Sequence, residues 1–174
     1  ILITMRFILL FVLFNTTQFA EAQGVRFFFD NESAIPNQER FDKIDIKAYN
    51  EDEKTHLHGT LLMPKTSFEK IVMIVSGSGG FTRENHFKLA EELLLNNIAV
   101  FRYDVRGISE SEGEFNDLDT VDDYRKDMVA LFQELKQVSE AKDKQIGIIA
   151  HSMGGMLAID GINKKKIYPD FLVQ

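Results

Sequence analysis

Ser152 is the residue on which chemistry could turn. It stands in Ala150-His151-Ser152-Met153-Gly154-Gly155, with the apolar residues Ile146, Ile148 and Ile149 before it and Met156-Leu157-Ala158-Ile159 after it. The first run is β-branched and reads as a buried strand, the second as the start of a buried helix. A serine on a tight strand-to-helix turn, with glycine just after it, has its hydroxyl lifted clear of both elements. Small residues are required where the two backbones nearly touch, and Ala150 and Gly154 stand two before and two after the serine. Such a turn stores about 1–3 kcal/mol of backbone strain, which its surroundings must hold. The first N–H groups of the helix have no acceptor within it. The Met153 N–H can therefore hold the oxygen that becomes negative when Ser152 attacks a carbonyl. The bland alternative for the same residues is a tight turn that happens to carry an ordinary serine.

Other elements must place this turn. Ile71-Val72-Met73-Ile74-Val75 is a continuous apolar run, the mark of a strand buried on both faces. The glycine-rich Ser76-Gly77-Ser78-Gly79-Gly80 follows it. The spacing of Phe87, Ala90, Leu93 and Leu94 predicts a helix over 82–97, and residues 98–103 predict the next strand, ending at Asp104. A strand, a Gly-x-Gly turn, a helix, a strand and an acid also describe a dinucleotide-binding unit. Against it, Thr82 stands where the third glycine belongs, and an antiparallel pair predicted over 43–49 and 55–63 precedes the unit. A phosphate-binding P-loop is excluded, since no Gly-Lys-Ser/Thr follows the glycines.

Phe101-Arg102-Tyr103-Asp104-Val105-Arg106-Gly107-Ile108-Ser109-Glu110-Ser111 resembles the Asp-x-Arg-Gly-x-Gly-x-Ser loop after strand four of α/β-hydrolases. Asp104, Arg106, Gly107 and Ser111 match, and Ser109 replaces the second glycine. The His-Ser-Met-Gly-Gly turn resembles the nucleophile elbow of esterases and serine aminopeptidase-like hydrolases, and Leu57 to Pro64 resembles the second strand of that branch. The three motifs occur in order, and the resemblance runs from about Ile44 to Val173. It implies an α/β-hydrolase fold, a mostly parallel sheet with flanking helices, truncated after the elbow helix and the start of the next strand. It puts Ser76 to Gly79 in the place of the oxyanion loop, with the Ser78 N–H as second donor beside Met153 and with Gly77 or Gly79 as neighbours that could take the role. It also suggests a structural charge pair between Asp104 and Arg106.

In that fold the nucleophile is followed along the chain by an acid and then by a histidine. After Ser152 the acids are Asp160 and Asp170, and no histidine follows; His56, His58, His86 and His151 all precede it. A serine hydroxyl without a base is a weak nucleophile. The expectation is therefore the front part of a serine hydrolase acting on carboxylic esters, lacking its triad acid and base and inactive alone. A serine aminopeptidase-like amide hydrolase and a non-catalytic secreted protein of the same fold are the alternatives. The expected partner is a small acyl ester or a peptide-like substrate, with no cofactor and no metal.

The remaining sequence sets the frame. The chain has 174 residues, 44% of them hydrophobic, which suffices for one core. Its 27 acidic and 20 basic residues give a net charge of −7 without a basic stripe, which speaks against a nucleic-acid partner. With no cysteine there are no disulfides and no thiolate metal sites. Residues 1–22 read as a signal peptide: Arg6, the apolar run from Phe7 to Phe14, and Ala20-Glu21-Ala22 as an A-x-A cleavage pattern. The apolar run is too short to span a membrane. A secreted or periplasmic protein follows, with no stable membrane insertion after cleavage. Residues 23–42 read as an irregular lead-in and 43–174 as the hydrolase domain. His56 and His58 lie two apart on a strand and face one side. No further ligand stands near them in sequence, so they read as solvent-facing.

Overall fold

The computed structural model describes residues 38–116 and 121–174. The expected signal peptide and most of the lead-in lie outside these residues. A 3-10 turn at Gln38–Arg40 leads into β1 (Phe41–Asn50), which starts two residues before its predicted place. β2 (Thr55–Pro64) pairs with it antiparallel along its whole length. Then come β3 (Lys70–Val75), α1 (Phe87–Leu95), β4 (Ile98–Tyr103), α2 (Val121–Leu135), β5 (Gln145–Ala150), α3 (Met153–Asn163) and β6 (Leu172–Val173).

The six strands form one sheet in the order β1-β2-β4-β3-β5-β6. β2 meets β4 antiparallel, and the β4-β3, β3-β5 and β5-β6 pairs are parallel. The alternation of a strand explains the two cores. Ile71, Met73 and Val75 enter a large cluster with Met128, Leu131, Phe132 and Leu135 of α2 and Leu157 and Ala158 of α3. Val72 and Ile74 enter a smaller cluster with Phe87, Ala90 and Leu94 of α1. Helices therefore cover both faces, which is why the β3 sequence is apolar without a break.

β3 has β4 on one edge and β5 on the other. The chain thus reverses its direction of travel across the sheet, and such a reversal opens a crevice at the carboxyl ends of the strands. Ser76 follows β3, Asp104 follows β4 and Ser152 lies just past β5, so the topology carries all three motifs to one edge.

The helix predicted over 82–97 forms only from Phe87. The Asn85 Oδ1 accepts the Thr82 backbone N–H at 2.6 Å, and His86 has a left-handed backbone at φ 58°. This local side-chain bond competes with helix and delays its start. Gly107 has φ 69°, and a Cβ there would collide with the backbone of Glu114 and Phe115. Ser109, in place of the motif's second glycine, is held at φ 54°. An L-residue is disfavoured there by roughly 1 kcal/mol relative to glycine. Ser109→Gly is expected to raise the free energy of unfolding by roughly 0.5–1 kcal/mol. An unchanged or lower urea midpoint would contradict the left-handed turn.

Candidate active site

Ser152 has φ 54° and ψ −122°, a conformation foreign to L-residues outside strained turns. It is exposed, between the end of β5 and the first residue of α3. The turn is fastened on both sides. The His151 N–H donates to the Val75 carbonyl at 3.1 Å, the Gly154 N–H to the His151 carbonyl at 2.9 Å, and the Gly155 N–H to the Ser152 carbonyl at 3.0 Å. A Cβ on Gly154 would run into the carbonyl oxygens of Val75 and Ser76, so only glycine lets α3 start this close to β3. Met153 opens α3, and its N–H has no acceptor within the helix.

The glycine-rich loop lies directly beside this turn. A Cβ on Gly77 would stand 3.1 Å from the Ser152 Cβ and 3.3 Å from His151 Nδ1. The Ser78 hydroxyl donates to Met153 Sδ at 3.6 Å. The structure thus brings Ser152, Met153 and Ser78 together, with Gly77 packed against Ser152. Beneath the loop is a cavity of about 20 Å³, bordered by Gly77, Tyr103, Asp127, Met153 and Leu157, with room for a group the size of one water. Burial pushes the Tyr103 hydroxyl well above its ordinary pKa, and the Asp127 carboxylate adds to the push.

The expected pair of Asp104 with Arg106 does not form; each is buried against another partner. Asp104 is fully buried and accepts Arg83 Nη2 at 2.6 Å, Arg83 Nε at 2.9 Å and the Arg83 backbone N–H at 2.7 Å. Arg106 grips Asp127 of α2 with two bonds, at 2.6 and 2.8 Å, and Asn50 of β1 donates to the same carboxylate at 2.6 Å. Burial pushes the Asp127 carboxyl up, against the opposing pull of the Arg106 and Asn50 hydrogen bonds. Sequence reading missed Arg83 and Asp127 because each lies 21 positions from its partner and on another element.

Of the two β2 histidines expected to face solvent, His56 does so and His58 is half-buried. His56 Nδ1 lies 2.9 Å from Glu112 Oε2 and His58 Nδ1 lies 3.3 Å from Glu110 Oε2, so both help clasp the 104–112 loop to β2. His86 is 3% exposed, its Nε2 3.0 Å from Ser76 Oγ and its ring stacked on Phe81. His151 is exposed, with Nδ1 turned toward Gly77. Among the described residues, no side chain is hydrogen-bonded to the Ser152 hydroxyl.

Residues 66–171 match the family described as serine aminopeptidase, S33. Among solved structures, an esterase of Pyrococcus furiosus is 27% identical, with a TM-score of 0.61 over 77% of this chain and 52% of that one. A hypothetical protein of Pseudomonas aeruginosa is 19% identical, with a TM-score of 0.63 over 79% of this chain and 44% of that one. A dienelactone hydrolase of Anabaena variabilis is 20% identical, with a TM-score of 0.57 over 69% and 56%. The last two likenesses, at their identities, show the fold alone. The chain spans about half the length of these solved relatives. No curated protein matches it.

Burial pushes His86 down from its ordinary 6.5 to about 4, and the neighbouring His151 and Arg102 add to the effect. Between those values the unfolded chain binds the proton and the folded chain does not. The contribution is therefore whole above pH 6.5 and lost as the pH falls toward 4, by about 1.4 kcal/mol per unit and about 3 kcal/mol in all. His86→Gln should flatten the urea midpoint over this window relative to the parent chain. Parallel pH profiles would contradict the buried, neutral imidazole.

Proposed function

Because the chain belongs to the serine aminopeptidase S33 family and has the α/β-hydrolase fold, we propose that it is the front part of a serine hydrolase acting on carboxylic esters through an acyl-enzyme. One observation carries the reading: Ser152 sits on a strained turn, at φ 54° and ψ −122°, directly beside the glycine-rich loop. The Ser152 oxygen attacks the ester carbonyl, and a base removes its proton. The carbonyl oxygen becomes negative and is held by the Met153 N–H and by the N–H of Ser78 or Gly77. Collapse of the tetrahedral intermediate expels the alcohol, and water then releases the acid from Ser152.

The base and its carboxylate come, in this reading, from sequence outside these 174 residues. The four histidines are otherwise placed: His56 and His58 against glutamates, His86 against Ser76, and His151 toward Gly77. Amide cleavage is the second reading, favoured by the description of the matched family as aminopeptidases. Export belongs to the same proposal, on the strength of the apolar run and the Ala20-Glu21-Ala22 pattern.

The 174-residue chain alone is expected to turn over p-nitrophenyl acetate at least about 10⁴-fold more slowly than a gene product extended by about 100–150 residues. Ser152→Ala should abolish the activity of the extended form, and exported material should begin at Gln23. A fully active Ser152→Ala enzyme would remove the nucleophile assignment. Ser152-dependent turnover by the short chain at the extended rate would remove the claim that base and acid lie elsewhere.

A further inference from the structure

The glycine-rich loop between β3 and α1 has no secondary structure of its own. Residues 76–81 contain Gly77, Gly79 and Gly80, and Gly79 has φ 134°. Glycine gives such a loop many conformations, so its position must come from anchors. Two anchors belong to the site already described: the contact of Gly77 with the elbow and the Ser78–Met153 bond. A third reaches in from the opposite face of the sheet, from the residue that caps α1.

That residue is His86. Its Nε2 lies 3.0 Å from Ser76 Oγ, and its ring stacks on Phe81 at 5.5 Å with 25° between planes. It therefore touches the loop at both ends, at Ser76 and at Phe81. Its own backbone is left-handed, at φ 58° and ψ 31°, and its carbonyl accepts the Ala90 N–H at 3.0 Å as the first bond of α1. The turn before it is held twice. Asn85 Oδ1 accepts the Thr82 N–H at 2.6 Å, and the buried Arg102 of β4 donates through Nη1 to the Asn85 carbonyl at 3.0 Å. The Phe81 carbonyl in turn accepts the Val105 N–H at 3.0 Å. The imidazole is thus a rigid point from which a mobile type of loop can be hung.

We propose that His86 is a positioning residue for the oxyanion hole, acting through the Ser76 hydroxyl to fix where the Gly77 and Ser78 N–H groups point. The inference rests on the hydrolase reading for its catalytic meaning, while the clamp itself does not. Ser76 is the pivot: its carbonyl lies over Gly154 at the start of α3, its hydroxyl is tied to His86, and the next residue is packed against Ser152. Loosening the hydroxyl frees the Ser76–Gly77 peptide to rotate. Donors that must meet a charge formed only in the transition state then lose their aim, which lowers kcat and leaves KM nearly untouched. His86 never contacts the substrate in this account.

The test has two arms. In the 174-residue chain, NMR follows the His86 imidazole and the backbone amides of Gly77 and Ser78. Ser76→Ala, a change small enough to keep the fold, should move the His86 titration and shift or broaden both amides. In a form that hydrolyses p-nitrophenyl acetate through Ser152, His86→Leu should lower kcat about tenfold or more with KM within about twofold. His86→Gln, whose side-chain amide can again meet the Ser76 hydroxyl, should restore most of the loss. Unchanged loop amides in Ser76→Ala, or unchanged kcat in His86→Leu, would overturn the clamp with the hydrolase reading intact. Undiminished turnover in Ser152→Ala would instead overturn the hydrolase reading, and the amide signals would still decide the clamp.

Discussion

The structure depends on one close approach, that of the first turn of α3 to the end of β3. Gly154 is pressed against the carbonyl oxygens of Val75 and Ser76, at a distance that any side chain would prevent. This contact fixes the angle at which the chain leaves β5, and with it the unusual backbone of Ser152. Strain of about 1–3 kcal/mol persists only where neighbours leave no alternative. Here the neighbours are β3, through the His151–Val75 bond, and the helix, through its opening hydrogen bonds. The same approach sets Gly77 beside Ser152, so the strain and exposure of the serine and the position of the glycine-rich loop have a common cause.

The second support is electrostatic. The loop after β4 is held by two ion pairs on buried carboxylates that cross between elements: Asp104 with the half-buried Arg83, and Arg106 with Asp127. A buried pair does not stabilise a fold merely by existing, because desolvation offsets much of the attraction. Removing one partner, however, leaves an uncompensated buried charge, with a penalty of about 3–5 kcal/mol. The pairs therefore act as locks on geometry. They tie the loop to the turn before α1 on one side and to α2 on the other, and the crevice lies between these attachments. His56 and His58, through Glu112 and Glu110, fasten the rim of the same loop to β2.

Much of this was legible in the sequence, for physical reasons that differ by element. β3 and β5 announce themselves because strands buried on both faces need unbroken apolar runs. The elbow is legible because its steric demand admits few residue types, and the Gly154 contact bears that out. The ion pairs were not legible. Asp104 and Arg106 stand two apart and invite pairing, yet Asp104 is sunk at the end of β4 beneath Arg83 while Arg106 reaches across to α2. Proximity in sequence said nothing about which of many acids and bases would meet. The late start of α1 was hidden likewise, since the apolar spacing continues back while Asn85 and His86 interrupt the backbone. Ser78 was singled out from the loop, yet Gly77 is the residue packed on Ser152, a matter of loop shape that spacing cannot give.

The central claim is that the carboxyl edge of this sheet is built to stabilise an oxyanion on a substrate bonded to Ser152. A crystal structure of the extended gene product after reaction with a p-nitrophenyl alkylphosphonate tests it most directly. The account predicts phosphorus bonded to Ser152 Oγ, with the phosphonyl oxygen about 2.7–3.1 Å from the Met153 nitrogen and from the nitrogen of Gly77 or Ser78. Phosphorus on another residue, or an oxygen turned away from both the helix start and the glycine-rich loop, would contradict it.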